Sequence, residues 1–471
     1  MDKNTVIGLL LIFGLFMGFS FYQTNRAKKY REEQEQQMAK QAEQKAEEAA
    51  TLSLDTDTTT VPSADDKMLT PAQRFSNPQL ADTGDYVVET AKAYYCFSKQ
   101  GGYLKHLYLK DVYRYTPKDS AKIMLELFEG GTNEMSVNLV LRDQTEVATR
   151  DCYFLAQGAD TLVVDEKHKT LSLRLYPNST GDSLQCQTQD AESYIEYLYT
   201  FDNDDYRFGF KMRFVNMGKY LYANKHDYTL DWNAQPRTVE KNYDAEKMLT
   251  SIYYMDGGNE VGNLDERKDA SKEVTSSMKW VSIKQQFFTA CLIAEDKPFN
   301  SGALSVTSFD KSETSKLKNC SASLDFQMSD LDKGVFGMSM YVGPNQYKLL
   351  KSYDLKLERQ VPLGWGFFLL HWINRFAIIP VFNWLSNYGI SYGLIILILT
   401  IILKIVLLPV SYKTYMSSAK MRALKPEIEA LNAKYPKEED MMKKQQATMA
   451  LYKSAGVSPA GGCLPMLLQM P

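Results

Sequence analysis

The spacing of hydrophobic positions changes several times along this chain, and each change marks a boundary. Thr5 to Tyr22 (TVIGLLLIFGLFMGFSFY) is an uncharged apolar run of eighteen residues, near the lower limit for a helix that crosses a bilayer. It runs through Phe19, Phe21 and Tyr22 into a charged stretch without a small-x-small cleavage site, so an uncleaved anchor over 1–23 is expected rather than a signal peptide. Residues 24–83 hold no apolar stripe. Arg26–Ala50 is rich in Glu, Gln, Ala and Lys, which favours a solvated helical stalk. Thr51–Leu80 is dominated by Thr, Ser, Asp and Pro, too poor in core residues to fold alone, and reads as a disordered linker.

From 84 to 355 the period becomes two. Tyr206, Phe208, Phe210, Met212 and Phe214 alternate with Arg207, Gly209, Lys211 and Arg213, and Leu171, Leu173 and Leu175 alternate with Ser172 and Arg174. Turn clusters such as Asp202-Asn203-Asp204-Asp205 and Asp256-Gly257-Gly258 separate such runs, so a large antiparallel β-sandwich is expected here. Its many tyrosines suit stacking on sugar rings, but aromatics at alternate positions are more often sheet core. Over 356–388 the apolar stretch Gly364–Tyr388 is interrupted by His371, Asn374, Arg375, Pro380 and Asn383. Those groups are costly in hydrocarbon and cheap at its surface, so an interfacial amphipathic helix is expected, with Trp365, Trp372 and Arg375 at headgroup level. Ile390–Leu408 then gives nineteen residues with one charge, a transmembrane helix within 389–411 whose exit is marked by Pro409 and Ser411. In 412–462, Met421, Leu424, Ile428 and Leu431 recur at helical spacing, Tyr435-Pro436 interrupts, and Met442, Met449 and Tyr452 recur again, which predicts a helical hairpin. Residues 463–471 turn apolar and read as the start of a third membrane segment.

Charge sharpens these boundaries. The chain of 471 residues carries a net charge of -3, yet residues 1–31 hold +4 and residues 412–462 hold nine basic against five acidic groups, leaving -11 for the stretch between. So balanced a total gives no sign of nucleic-acid specificity. Cys96, Cys152, Cys186, Cys291, Cys320 and Cys463 form no C-x-x-C pair, and His106, His168, His226 and His371 are scattered, with no H-E-x-x-H or P-loop pattern. No cofactor or metal is implied. Positive residues vote in opposite directions on topology: Arg26, Lys28, Lys29 and Arg31 follow the first span, but the nine basic residues follow the second. Two spans before a cytoplasmic basic loop put the N-terminus inside and the acidic β-domain outside, and that parity decides the expectation.

Lys404 is the unusual residue, about nine positions, or roughly 13 Å of helix, before Lys413. A charge near mid-membrane costs on the order of 2.5–3.5 kcal/mol on insertion scales and normally faces a water-filled cavity. A lysine stem covers about half that depth, so snorkelling alone does not free it. Thr400 at i-4 and Ser411 at i+7 lie on the same helical face and complete a polar stripe.

The run ILKIVLLPVSYKTYMSSAKMRALKPEIEALNAKY, the later ALYKSAGVSPAGGCLPMLLQMP, and the order anchor, linker, β-domain, interfacial helix, span and basic hairpin resemble the YidC/Oxa/Alb family of membrane protein insertases in its long bacterial form. Gly461-Gly462-Cys463-Leu464-Pro465 and Leu468-Gln469-Met470-Pro471 are its most specific marks; Gly101-Gly102, Trp280-Val281-Ser282 and Tyr341-Val342-Gly343-Pro344 carry it more weakly into the β-domain. The resemblance implies an α-helical insertase core of five helices, only partly spanned by this chain, around an intramembrane groove open to cytoplasm and lipid. Lys404 stands there where the family's usual residue is arginine, a compact ammonium in place of a planar fork. It also implies insertion without covalent chemistry, with nascent membrane proteins, the ribosome, the Sec translocon and the lipid bilayer as partners. Lys413, Lys420, Arg422 and Lys425 would recruit the first two. An anchored carbohydrate-binding or receptor protein, or an anchored sugar-active enzyme, explains the β-domain but leaves Lys404 and the hairpin without a role.

The topology can be checked with single cysteines in a background lacking the native ones. A cysteine at Ser63 is expected to react with an impermeant thiol reagent from the outer face, and one at Ser454 only after the membrane is opened. The reverse pattern would make 364–388 a span.

Overall fold

The alternation seen in the sequence is realised as strand. In Arg207–Val215 the side chains of Phe208, Phe210, Met212 and Phe214 are buried while Lys211 is exposed and Arg207 and Arg213 are half-buried; in Lys169–Leu175 the three leucines are buried. A computed structural model describes residues 70–76, 84–114, 123–165, 168–178, 190–310, 312–363, 372–435 and 441–456. The anchor at Thr5–Tyr22, most of the stalk and linker, Trp365 and the Gly461–Pro471 motif lie outside the described residues.

The β-domain is built from three sheets of five, nine and six strands, and buried residues of all three merge in one core. Among the described residues, pairing is antiparallel except that Asp85–Glu89 also runs parallel to Thr161–Val163, through Val87 opposite Thr161. Where the small sheet meets the nine-stranded one, the rings interlock: Phe97 and Tyr199 at 4.3 Å between centroids, Phe154 and Tyr197 at 4.6 Å, Tyr199 and Phe210 stacked at 4.8 Å. Their polar tips are satisfied, Tyr199 donating to the Gly102 carbonyl at 2.8 Å and Tyr197 to Thr149 Oγ1 at 3.1 Å. That closeness explains Gly101-Gly102. Gly102 has φ +68°, and a Cβ there would meet the Phe154 and Tyr197 rings at 3.0 and 3.1 Å.

Composition assigns residues 70–76 to the linker, and here the structure corrects it. Pro71–Phe75 is a short helix started by a capping box between Thr70 and Gln73, with Pro71 in its first turn. Ala72 and Phe75 are buried in the β-domain core, so two apolar side chains suffice to dock a segment otherwise typical of a linker.

After Tyr341-Val342-Gly343-Pro344 the chain folds back over the nine-stranded sheet. Helix Tyr347–Ser352 and the 3-10 turn Leu357–Gln360 bring Leu350 and Leu357 onto Trp280, Cys291, Ile293 and Tyr341 in a second, smaller core. The fully buried Trp280 donates its indole N–H to the Leu355 carbonyl at 2.8 Å, and Tyr341 its hydroxyl to the Pro344 carbonyl at 2.6 Å. Two of the weaker family motifs are therefore the seat of this strap.

The nine-stranded sheet also holds a buried acid. Glu196 on Tyr194–Phe201 accepts from Ser172 at 2.6 Å, from Arg174 at 3.1 Å and from Arg213 at 2.7 Å, with its side chain 3% exposed. Burial pulls its carboxyl pKa up, but the bonds from Ser172 and Arg174 and the charges of both arginines outweigh that, so it lies below the ordinary value. The stabilisation is complete above about pH 4.3 and is lost as pH falls through the folded value. Glu196→Ala leaves two partly buried guanidiniums without a counter-charge. It is expected to lower the opening free energy of strands Lys169–Leu175 and Arg207–Val215 by about 2 kcal/mol in amide hydrogen exchange, with Glu196→Gln losing less.

Candidate functional site

The helices after the β-domain are organised around one apolar segment. Tyr392–Ala423 is a single helix of 32 residues, about 48 Å long, and Tyr392–Pro409 is long and apolar enough to cross a membrane. The sequence marks the exit of the span at Pro409 and Ser411, and the helix itself continues through both. Backbone groups at the edge of hydrocarbon have no water to bond instead, so the lost N–H does not end the helix. Tyr392 and Tyr412 are both exposed and stand twenty residues apart, about 30 Å, which matches the thickness of a hydrocarbon core. Two tyrosines at that spacing form an aromatic bracket. The spacing of Tyr392 and Tyr412 in the sequence carries the same bracket.

Lys404 lies eight residues inside the Tyr412 end, about 12 Å, and its side chain is exposed. Thr400 is exposed on the same face, with its hydroxyl donating to its own helix at the Ile396 carbonyl, 2.8 Å away. That bond satisfies the hydrogen and leaves the oxygen lone pairs outward. Ser411 completes the face and is half-buried. Around Lys404 the helix surface is Ile401, Ile402, Leu403, Ile405, Val406 and Leu408, all more than 40% exposed. The ammonium is the one charge in an apolar cylinder.

The N-terminal end of this helix is met by the helical segment that precedes it in the chain. Ile379–Ser386 is preceded by a widened π turn, Asn374–Ile378, directly before Pro380, whose ring nitrogen cannot donate to the Phe376 carbonyl. Trp372, Phe376 and Trp384 are each more than half exposed. Arg375 is half-buried with its guanidinium 5.7 Å from the Phe376 ring centre. Phe382 stacks on Tyr392 at 5.7 Å, and Leu385 and Ile395 are buried where the two helices pack. Gly389, at φ +69°, allows the tight turn between them. The structure thus joins Trp372 and Arg375 in one helical segment with exposed aromatic rings.

Past the bracket the long helix continues to Ala423 and bends at Leu424 into Lys425–Lys434. Pro426 sits in the first turn of that second helix, where its missing N–H is harmless, but its ring blocks continuation from the turn before. Met441–Ser454 then returns alongside. The first arm of the hairpin expected from the sequence is therefore partly an extension of the span. Lys420, Arg422 and Lys425 are exposed, Lys425 lying 4.0 Å from Glu429; Lys413 lies on the same helix.

In the β-domain many of the aromatic rings are occupied. Those of Tyr95, Tyr197, Tyr199 and Tyr341 are buried, while Tyr86, Tyr94, Tyr194, Tyr253 and Tyr254 have a lysine or arginine 4.2–5.2 Å from the ring centre. Those faces are already covered by cations.

Comparison with known proteins follows the same division of the chain. Residues 85–376 match the family described as the YidC periplasmic domain and residues 384–471 the 60Kd inner membrane protein family. Proteins named membrane protein insertase YidC align along the whole chain: 34% identical over 477 residues in Bacteroides fragilis, covering 72% of that protein, 35% over 492 in Phocaeicola vulgatus, covering 72%, and 34% over 489 in Porphyromonas gingivalis, covering 73%. Among solved structures, a galactose mutarotase related enzyme from Lactobacillus acidophilus overlays 55% of this chain and 97% of its own, at 8% identity and a TM-score of 0.33, too loose a likeness to carry an argument. The agreement in sequence, which extends over the whole chain from the N-terminal residues through the β-domain and the Lys404 helix, means that the chain belongs to the YidC family of membrane protein insertases.

Proposed function

We propose that this chain inserts nascent membrane proteins by means of the Lys404 face of its spanning helix, which lines a hydrated groove in the inner membrane. The observation that carries this reading is a lysine about 12 Å inside an aromatic bracket, on one face with Thr400 and Ser411. Moving a hydrophilic segment through hydrocarbon is slow because the segment must shed its water. Water in the groove and the Lys404 ammonium replace part of that solvation, and the apolar part of the substrate then slides sideways into lipid. No bond is made or broken, and no cofactor is needed. The N-terminus lies in the cytoplasm and the β-domain in the periplasm. Lys413, Lys420, Arg422 and Lys425 extend the charge of the long helix and its bend into the cytoplasm, where they meet the ribosome or an emerging chain. The same insertase works alone or beside the Sec translocon. A carbohydrate-binding reading of the β-domain is not favoured, because many of the tyrosine rings it would use are buried or under cations.

Charge and mere polarity can be separated at Lys404. In vesicles carrying equal amounts of the complete protein, Lys404→Arg is expected to keep insertion of a substrate with an acidic outward tail. Lys404→Leu is expected to slow it about tenfold, the equivalent of losing one charge-assisted contact of about 1.4 kcal/mol. Lys404→Glu should be slowest, since like charges repel more strongly in a medium less polar than water. A neutral-tailed substrate should suffer less in each case. Equal insertion of both substrates by Lys404→Leu and the parent would remove the charge from the mechanism.

A further inference from the structure

We propose that the β-domain does not hang free of the membrane but is seated on the outer leaflet by the end that carries the turn Gln285–Phe288, with Phe287 and Met248 entering the headgroup layer and Lys348 and Arg359 beside them on lipid phosphates. Phe287 is 49% and Met248 47% exposed, unlike the buried rings that fill the domain. Strand register places them together. Ser251 pairs with Lys284, and Met248 and Phe287 each lie three residues beyond that pair, off the same end of the sheet. Phe288 pairs with Pro344, so the strap also starts there, and Asn345 donates its N–H to the Phe287 carbonyl at 2.7 Å.

The strap then runs to the far end of the sheet, where Lys356 reaches the Asn259 carbonyl at 3.0 Å, and returns. Gln360 comes back to Thr289 at 3.4 Å, two residues from Phe287. Only three residues later the Leu363 carbonyl accepts from Asn374 Nδ2 at 2.7 Å, and Asn374 belongs to the interfacial segment. Three residues span at most about 10 Å. A domain whose exit is bound to its own sheet, and tied that closely to a helix with Trp372, Phe376 and Trp384 exposed, has this end at the bilayer surface.

Charge fits as well. The stretch between the two basic ends of the chain carries a net -11, yet Lys348 and Arg359 are exposed on the strap here. The acidic turn on the neighbouring strands is engaged: Asp202 with His168 at 2.7 Å, Asp204 with Lys92 at 2.7 Å, Asp205 with the Tyr353 hydroxyl at 2.5 Å. Basic side chains beside exposed apolar ones suit an anionic lipid surface.

The inference rests on an outward-facing β-domain, and the experiment keeps the two apart. Nitroxide labels are placed on the complete protein at Gln286→Cys, beside Phe287, and at Glu260→Cys, in the turn at the opposite end of the sheet. In nanodiscs of phosphatidylethanolamine and phosphatidylglycerol, relaxation by a water-soluble nickel complex is expected to be roughly fivefold weaker at 286 than at 260, as for a site a few ångströms into the interface. Phe287→Ser, and separately the pair Lys348→Glu with Arg359→Glu, should restore most of the aqueous contact at 286. Equal contact at 286 and 260 in the parent overturns the seat, and a parent-like signal in both variants overturns the roles given to these side chains. Labelling of Glu260→Cys by an impermeant maleimide in spheroplasts tests the topology by itself; no labelling there would sink that reading instead.

Discussion

A charge inside hydrocarbon is the constraint on which the rest of this molecule depends. An ammonium placed about 12 Å from the nearer aromatic end of its helix costs a few kcal/mol unless water or an opposite charge reaches it. The surrounding isoleucines, leucines and valine of Tyr392–Pro409 offer neither. The proposed insertase role gives the helix a hydrated face, and Thr400, Lys404 and Ser411 fall together on one side of it. The same helix must stay at fixed depth for that face to stay useful. Tyr392 and Tyr412 bracket it about 30 Å apart, and Phe382, Leu385 and Ile395 tie its N-terminal end to the preceding helical segment, whose Asn374, Arg375 and Asn383 are costly to place in hydrocarbon.

The β-domain connects to this system through its last residues. Trp280 and Tyr341 fix the strap on the sheet, Gln360 returns it to the end it left, and Leu363 passes directly to Asn374. The last described residue of the β-domain is therefore bonded to the helical segment that follows, in contrast to the long polar stretch of sequence that precedes Thr70. A deletion that removes the sheet and leaves the strap would expose Leu350 and Leu357 to water, so the boundary chosen in such an experiment matters as much as the deletion.

Much of this was legible in the sequence because it depends on local periodicity. Leu171, Leu173 and Leu175, and Phe208 to Phe214, alternate so regularly that strand and buried face follow from one rule, and Lys404 is conspicuous because its neighbours are uniformly apolar. What was missed depends on partners distant in the chain. Phe75 looks like a linker residue until the core that receives it is present, and Leu357 meets Trp280 only after the sheet has formed. Pro409 stops no helix here, because a proline rule drawn from water applies weakly where the backbone has no competing solvent. The parallel pairing of Val87 with Thr161 leaves no mark in either strand's own pattern.

The hydrated face is tested most directly by a cysteine scan of residues 396–411 in the complete protein, reading the rate of reaction with a small charged thiol reagent in intact membranes. Rates should rise and fall with the helical period of 3.6 residues, peaking at 400, 404, 408 and 411 and falling at 402 and 406 on the opposite side. A scan in which 404 is as protected as 402 would mean that Lys404 is enclosed by lipid or protein and that no groove reaches it.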